Sequence, residues 1–202
     1  MALADTGGVE SLSMRRLAQE LGVKAMSLYN HVADRNEIVD GLVDLVFGEI
    51  VVPADKADWK AAMRARGEST HQALRRHPWA SSLMQSRTSP GPATLRHHDT
   101  VIGCLRAAGF TIHLAAHAFS VMDSYIYGFA QQQENLTYTT AEEAAVVADN
   151  ILQQLPADTY PHLAEMIVEH ALTPDYDYAK EFDFGLDLIL DGLESICGQE
   201  PL

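Results

Sequence analysis

The sequence predicts an all-α fold, on the strength of three features. Apolar residues recur at intervals of three and four rather than two. No turn dipeptide joins a pair of alternating apolar runs, so there is no hairpin signal. Prolines and paired glycines punctuate the periodic stretches into helix-sized pieces. The 202 residues, 47% of them hydrophobic, suffice for a substantial core without disulfide or metal staples.

Taken in order, Gly7 and Gly8 end a short first helix. Ser13 starts a second, with Met14, Leu17, Ala18 and Leu21 on its inner face, and Gly22 breaks it before a third over 24–31. Asp34, with Glu37 three residues on, has capping-box spacing. The helix it opens turns Ile38, Leu42, Leu45 and Val46 inward and runs to Val52. Pro53 and the polar stretch to Asp58 mark the boundary between a head, 1–52, and a body, 53–202. In the body a helix over 59–77 is stopped by Pro78, and a short segment follows around Leu83. Pro90, Gly91 and Pro92 force a turn before a helix that reaches Ala108, with Gly109 as its natural cap. The stretches 112–133 and 182–196 are apolar round most of their girth, so each is expected to pack on its own subunit and on a second copy. A polar loop at 135–140 and one or two weaker helices lie between them.

The formal charge of −14 is unevenly spread. Residues 1–36 hold four bases (Arg15, Arg16, Lys24, Arg35) and four acids, so the remainder carries the whole excess; beyond Arg106 the only Lys or Arg is Lys180. Phosphate contact needs local cations, not a basic whole protein, and an acidic body orients a neutral head toward DNA. A solvated surface that keeps the protein soluble accounts for the acidity equally well. Cys104 and Cys197 match no zinc or redox spacing and read as ordinary thiols. No apolar run approaches the 18 or so residues of a membrane span, and Met1 opens no signal peptide, so a cytoplasmic location is expected.

The segment Ser13-Met-Arg-Arg-Leu-Ala-Gln-Glu-Leu-Gly-Val-Lys-Ala-Met-Ser-Leu-Tyr-Asn-His31 has the spacing of a helix-turn-helix. Ala18 is small where the helices cross, Gly22 permits the left-handed turn, Val23 plugs the corner, and Leu28 and Val32 anchor the second helix from beneath. What stays outward is Lys24, Ala25, Met26, Ser27, Tyr29, Asn30 and His31. That face suits a major groove of double-stranded operator DNA: Ser27 and Asn30 at base edges, Ala25 and Met26 at thymine methyls, Lys24, Tyr29 and His31 at phosphates.

On these residues the chain resembles the tetracycline-repressor family of regulators. The likeness rests on Leu12-Ser-Met-Arg-Arg-Leu-Ala, Leu21-Gly-Val, Ser27-Leu-Tyr-Asn-His-Val32 and Asp34-Arg-Asn-Glu-Ile-Val-Asp-Gly-Leu42. It continues through Ala108-Gly-Phe-Thr, Met122-Asp-Ser-Tyr and Phe184-Gly-Leu-Asp-Leu-Ile-Leu-Asp-Gly-Leu193. The resemblance implies a homodimer whose heads read successive major grooves, with a helical body that pairs and binds a small-molecule inducer that releases DNA. It also implies that Ser13 and Arg15 lie at the start of the second helix, Arg15 contacting a base, and that Arg35 takes the place of a phosphate-binding lysine. Asn30 stands where the family has tryptophan and Ala25 where it has glutamine, so a different operator is expected. Residues 1–7 supply only the last turns of the family's first helix. Gln85 replaces the magnesium-binding histidine, and no histidine lies near 51–53, which argues against magnesium-tetracycline as inducer. A ligand-independent regulator, or a small-molecule binder that no longer holds DNA because of the short first helix, remain alternatives.

Residues expected around a ligand chamber are Trp79, Met84, Gln85, Thr88, Pro90, His98, Val101, Phe119, Met122 and Tyr125, and the inducer they imply is mostly apolar. Plain core packing accounts for Trp79, Met84, Phe119 and Met122 equally well. His113 with His117, and the pair His97-His98, lack accompanying ligands, so no metal is expected and these read as surface or interface histidines. No nucleophile elbow, phosphate loop or acid/base dyad is present, so neither catalysis nor a cofactor is expected.

Overall fold

A computed structural model describes residues 1–53, 58–156 and 159–197, and every regular element among them is helical. Four belong to the N-terminal segment: α1 (Ala2–Gly7), α2 (Met14–Glu20), α3 (Ala25–Leu28) and α4 (Arg35–Glu49). There follow α5 (Trp59–Arg76), α6 (Ser81–Met84), α7 (Pro92–Ala107), α8 (Ile112–Glu134), α9 (Ala141–Gln154), α10 (Pro161–Met166) and α11 (Ala179–Ile196). The polar stretch after Pro53 falls, up to Asp58, outside the described residues. The chain forms two compact units, one of Met1–Gln131 with the chain from Gly185 onward, the other Gln132–Phe184.

Caps fix the helix starts. The Ser13 hydroxyl accepts the Arg16 N–H at 3.2 Å, and one Asp34 oxygen accepts from Asn36 and Glu37. Glu37 reaches back to the amide of Ala33, not to Asp34 itself, at 2.6 Å. Asp58 caps α5 through Ala61. Gly22, at φ 65°, turns the chain between α2 and α3, a conformation costly for any side chain with a Cβ. Asp44, in the middle of α4, caps a different helix: it accepts the amides of Ala93 and Thr94 and the Thr94 hydroxyl, tying α4 to the start of α7.

In the first unit, Ala4, Leu12, Val39 and Leu42 form a small core, against which Val9, Ile38, Trp79 and Leu83 also pack. Three positions expected inside are exposed. Leu45 is turned out, and α4 buries Val39, Val43 and Phe47 beside Leu42 and Val46, because its inner face is rotated by about one residue, roughly a quarter of a turn. Leu21 and Val23 lie at the corner after α2, which α3 is too short to cover. The third helix, expected over 24–31, is regular only from Ala25 to Leu28.

Larger helices build the rest of that unit. A Cβ on Gly67 of α5 would lie 2.9 Å from a Leu186 methyl, so α5 and α11 approach closely there. On the outside of this contact Lys60 bonds Asp191 and Glu194, and Arg64 pairs with Asp187, a row of exposed ion pairs worth little each. Ile112 and Val121 on α8, and Leu188 and Ile196 on α11, are exposed apolar side chains, Leu188 at 65%. In the second unit, Thr140 and Glu143 form a full capping box on α9, and the turn after α10 widens to a π-helix over Ile167–Ala171. Among the described residues no helix is long and apolar enough to cross a membrane, and no three side chains cluster as metal ligands.

Candidate functional site

Two surfaces carry the residues singled out from the sequence. The first is α2 with α3 and the turn after it. Arg15, Lys24, Met26, Ser27, Tyr29, Asn30 and His31 are exposed, Met26 at 74%, while Ala25 is half-buried at the start of α3. Beneath them Ala18 and Leu28 are buried where the two helices meet, and the Val23 amide bonds the Ala18 carbonyl, closing the corner. Six of these exposed side chains come from one stretch of eight residues, so a single short helix and its turn present them together. Ser13 spends its hydroxyl on capping α2. Arg35 points elsewhere: its guanidinium donates to the carbonyls of Leu12 at 2.8 Å and Val9 at 2.6 Å, which holds the segment before α2 against α4.

The second is a cavity of about 420 Å3 among α4, α7, α8 and the segment joining α6 to α7. Of the residues expected around a ligand, Met84, Gln85, Pro90, His98 and Phe119 line it. The other five do not. Trp79 packs on the head core and donates its indole N–H to Asp5 at 2.7 Å. Thr88 faces solvent, Val101 and Met122 are fully buried in the core, and Tyr125 packs over Gly185.

The remaining lining was not anticipated. From α4 come Asp40, Val43 and Phe47, and from α8 Ser120, Asp123, Ser124 and Tyr127; each set follows helical spacing and so shares one face. Thr94 joins them from α7, with Arg87 and Ser89 from the connecting segment. A signal existed for the α8 set, since polar residues at three and four interrupt an otherwise apolar helix.

Two ion pairs frame the cavity. At its rim the Arg87 guanidinium bonds Asp40. Behind its wall Arg66, fully buried on α5, donates to Asp123, while its Nε meets His97 Nε2 at 3.3 Å and its charge lies 5.4 Å from the centre of the Phe119 ring. His97 and His98 are therefore interior groups, contrary to the surface role expected for them. They flank Phe47 at ring separations of 5.3 and 5.4 Å. Burial, with the Arg66 charge and His98 adding, pushes His97 down to about 3. Burial also lowers His98, with Asp123 opposing and Arg66 assisting, so both rings are neutral at pH 7. Burial next to Asp123 raises the Tyr127 phenol, which stays protonated and donates to that carboxylate. His113 and His117 are exposed on α8.

One more contact ties α1 and the end of α4 to the end of α5. His77, nearly buried, lies between two carboxylates, its Nδ1 2.7 Å from Asp5 of α1 and its Nε2 3.2 Å from Glu49 at the end of α4. Arg76 also donates to Glu49, at 2.8 Å.

The chain matches the family model described as "Tetracyclin repressor-like, C-terminal domain" over residues 52–197. Along 98% of its length it is 36% identical to the HTH-type transcriptional repressor DrrR1 of Streptomyces coeruleorubidus, covering 75% of that protein. It is 25% identical to the class G tetracycline repressor protein of Vibrio anguillarum, over 97% of this chain and 90% of that one. Among solved structures it is similar to the TetR family protein ActR of Streptomyces coelicolor in complex with actinorhodin, with TM-score 0.80, 28% identity, and 98% and 94% of the two chains covered.

Proposed function

Because the chain belongs to the tetracycline-repressor family of transcriptional regulators, we propose that it is a homodimeric repressor whose hold on operator DNA is released by a small molecule entering the cavity. The observation that carries this reading is the double duty of α4. Val39 and Leu42 build the head core under α2, while Asp40, Val43 and Phe47 of the same helix line the cavity. A molecule that presses on one side of a rigid helix acts on whatever the other side supports. It shifts the heads only by its differential affinity for their two placements, typically 1 to 3 kcal/mol of coupling.

Residues 1–52 serve as the reading head and 53–202 as the ligand-binding and dimerisation body. Arg15, Lys24, Met26, Ser27, Tyr29, Asn30 and His31 contact DNA, with Ala25 close enough for a thymine methyl. The exposed apolar residues of α8 and α11 pair with a second copy, a patch that a monomer would leave in water. The relatives are regulators, and no catalytic role is assigned. ActR has been seen with actinorhodin and with (S)-DNPA, which supports a ligand of comparable kind acting on this chain.

The test is a genome-wide selection of bound DNA fragments, followed by release of the best site from the purified protein by a compound panel. The expected result is an inverted repeat bound by a dimer and freed by at least one compound. Failure to enrich any site, or light scattering that shows a monomer at micromolar concentration, overturns the reading.

A further inference from the structure

The cavity was expected to be mostly apolar, yet its polar side chains are placed with a pattern. Ser120, Asp123, Ser124 and Tyr127 make one polar edge along α8. Three rings also line the cavity, one from each of α4, α7 and α8: His98 meets Phe47 at 5.4 Å and Phe119 at 5.1 Å between centroids, both edge to face. Rings set at right angles present both edges and faces, the two arrangements in which aromatic rings pack on one another, and so suit an aromatic guest. The volume, about 420 Å3, lies within the range of small-molecule sites, about 300–1,000 Å3.

Charge decides which guest. Asp123 is matched by Arg66 and Asp40 by Arg87, while His98 is neutral. The walls therefore leave no net charge to neutralise an ionic ligand, and desolvating one would go uncompensated. What they do offer is acceptor capacity. An ionised carboxylate has about four lone-pair positions and donates nothing. Arg66 and Tyr127 occupy two of those positions on Asp123, whose side chain still reaches the cavity surface. A neutral donor on the guest, an O–H above all, completes the set.

We infer that the cavity binds a neutral, flat aromatic molecule bearing hydroxyl groups, its rings against Phe47, His98 and Phe119 and one hydroxyl donating to Asp123. This rests on the ligand-release reading for its biological meaning and on the cavity alone for its chemistry. Asp123 is then the residue that sets specificity, and Arg66 holds it in place.

The experiment is isothermal titration calorimetry of the full chain with four probes on one ring system: a dihydroxyanthraquinone, its dimethyl ether, an anthraquinone carboxylate and an aminomethyl anthraquinone. Each probe is also tested for release of the selected operator site. The expected result is that the diol binds at least about tenfold more tightly than the other three, the worth of one hydrogen bond to a charged acceptor. Asp123→Asn should bring the diol to the level of the ether. Because that variant disturbs Arg66, Tyr127→Phe is run beside it. It spares the ion pair, removes a competing donor, and should leave diol affinity equal or greater. An ether or amine that binds wild type as tightly as the diol, or no binding by any probe, overturns the inference whatever the variants do. Selective diol binding that leaves the operator occupied sustains the inference and defeats the ligand-release reading. Equal binding of diol and ether that still frees the operator does the reverse.

Discussion

The proposed reading surface and the proposed ligand cavity solve opposite problems. On α3 and the following turn the functional side chains stand in solvent, touch little of the protein and are held by a few small contacts beneath, Ala18 and Leu28 above all. In the cavity the functional groups are part of the core: Asp123 is nearly buried, its partner Arg66 wholly so, and Phe47 serves both the core and the wall. A residue exposed in the free protein can change its role at small cost in stability, whereas a cavity residue that is also part of the core, such as Asp123 or Phe47, cannot. Binding and folding should therefore separate cleanly under mutation in the head and be entangled in the body.

The sharpest way to break that contrast is Arg66→Met. It leaves the Asp123 carboxylate buried without its cation, an error that costs about 3–5 kcal/mol. The thermal midpoint, read by circular dichroism, should fall by roughly 10 °C for a chain of this size. A midpoint within a degree or two of wild type would show that water reaches Asp123. Next in size, Arg15→Ala should weaken operator binding by about 1–3 kcal/mol if it makes a bidentate base contact, with the midpoint unchanged. Equal losses on specific and random fragments in a gel-shift assay would make Arg15 a phosphate contact only.

Asp44→Ala is smaller, about 1 kcal/mol, for the lost cap at the start of α7. Its effect on urea midpoints should exceed that of exposed Glu20→Ala.

The smallest expected effect is the pH dependence of the head-to-body clasp. For Asp5 burial raises the pKa, but the bonds from Trp79 and His77 outweigh it and the net shift is downward. For Glu49 the bond from Arg76 leads and His77 adds to it, against burial. A carboxylate whose folded pKa lies below its unfolded one stabilises fully above the unfolded value, and that contribution is lost as pH falls through the folded value. The ordinary values are 3.8 and 4.5, so the loss begins below about pH 5 and deepens toward pH 3. In urea titrations between pH 7 and pH 3, Asp5→Asn should show a shallower loss than wild type. Parallel slopes would remove Asp5 from the clasp.

How far each region could be read from sequence follows the same contrast. The head's devices are local: the Ser13 cap, the positive φ of Gly22 and the small Ala18 all act within a few residues, and all three stand where the spacing put them. Periodicity failed at Leu21, Val23 and Leu45, because it shows that a helix has an inner face but not which flank a neighbour covers. In the body the helix starts at Trp59, Pro92 and Ile112 were legible from Pro and Gly chemistry. The cavity was only half legible, since Arg66 meets Asp123 across 57 residues and Arg87 meets Asp40 across 47. No local rule joins residues so far apart. Trp79, expected at the cavity, packs on the head core for the same reason.

The Asp44 cap also bears on how such a protein diversifies. Its carboxylate lies within 2.3 Å of where a Cβ on Gly91 would be, so position 91 is closed to any side chain while Asp44 holds α7. Immediately before it, Gln85, Ser89 and Pro90 border the cavity with exposed side chains. Replacing them disturbs no core contact. Under the proposed ligand-release mechanism, a lineage carrying this arrangement can try new guests at the mouth of the cavity by single substitutions, while the junction between α4 and α7 stays unaltered.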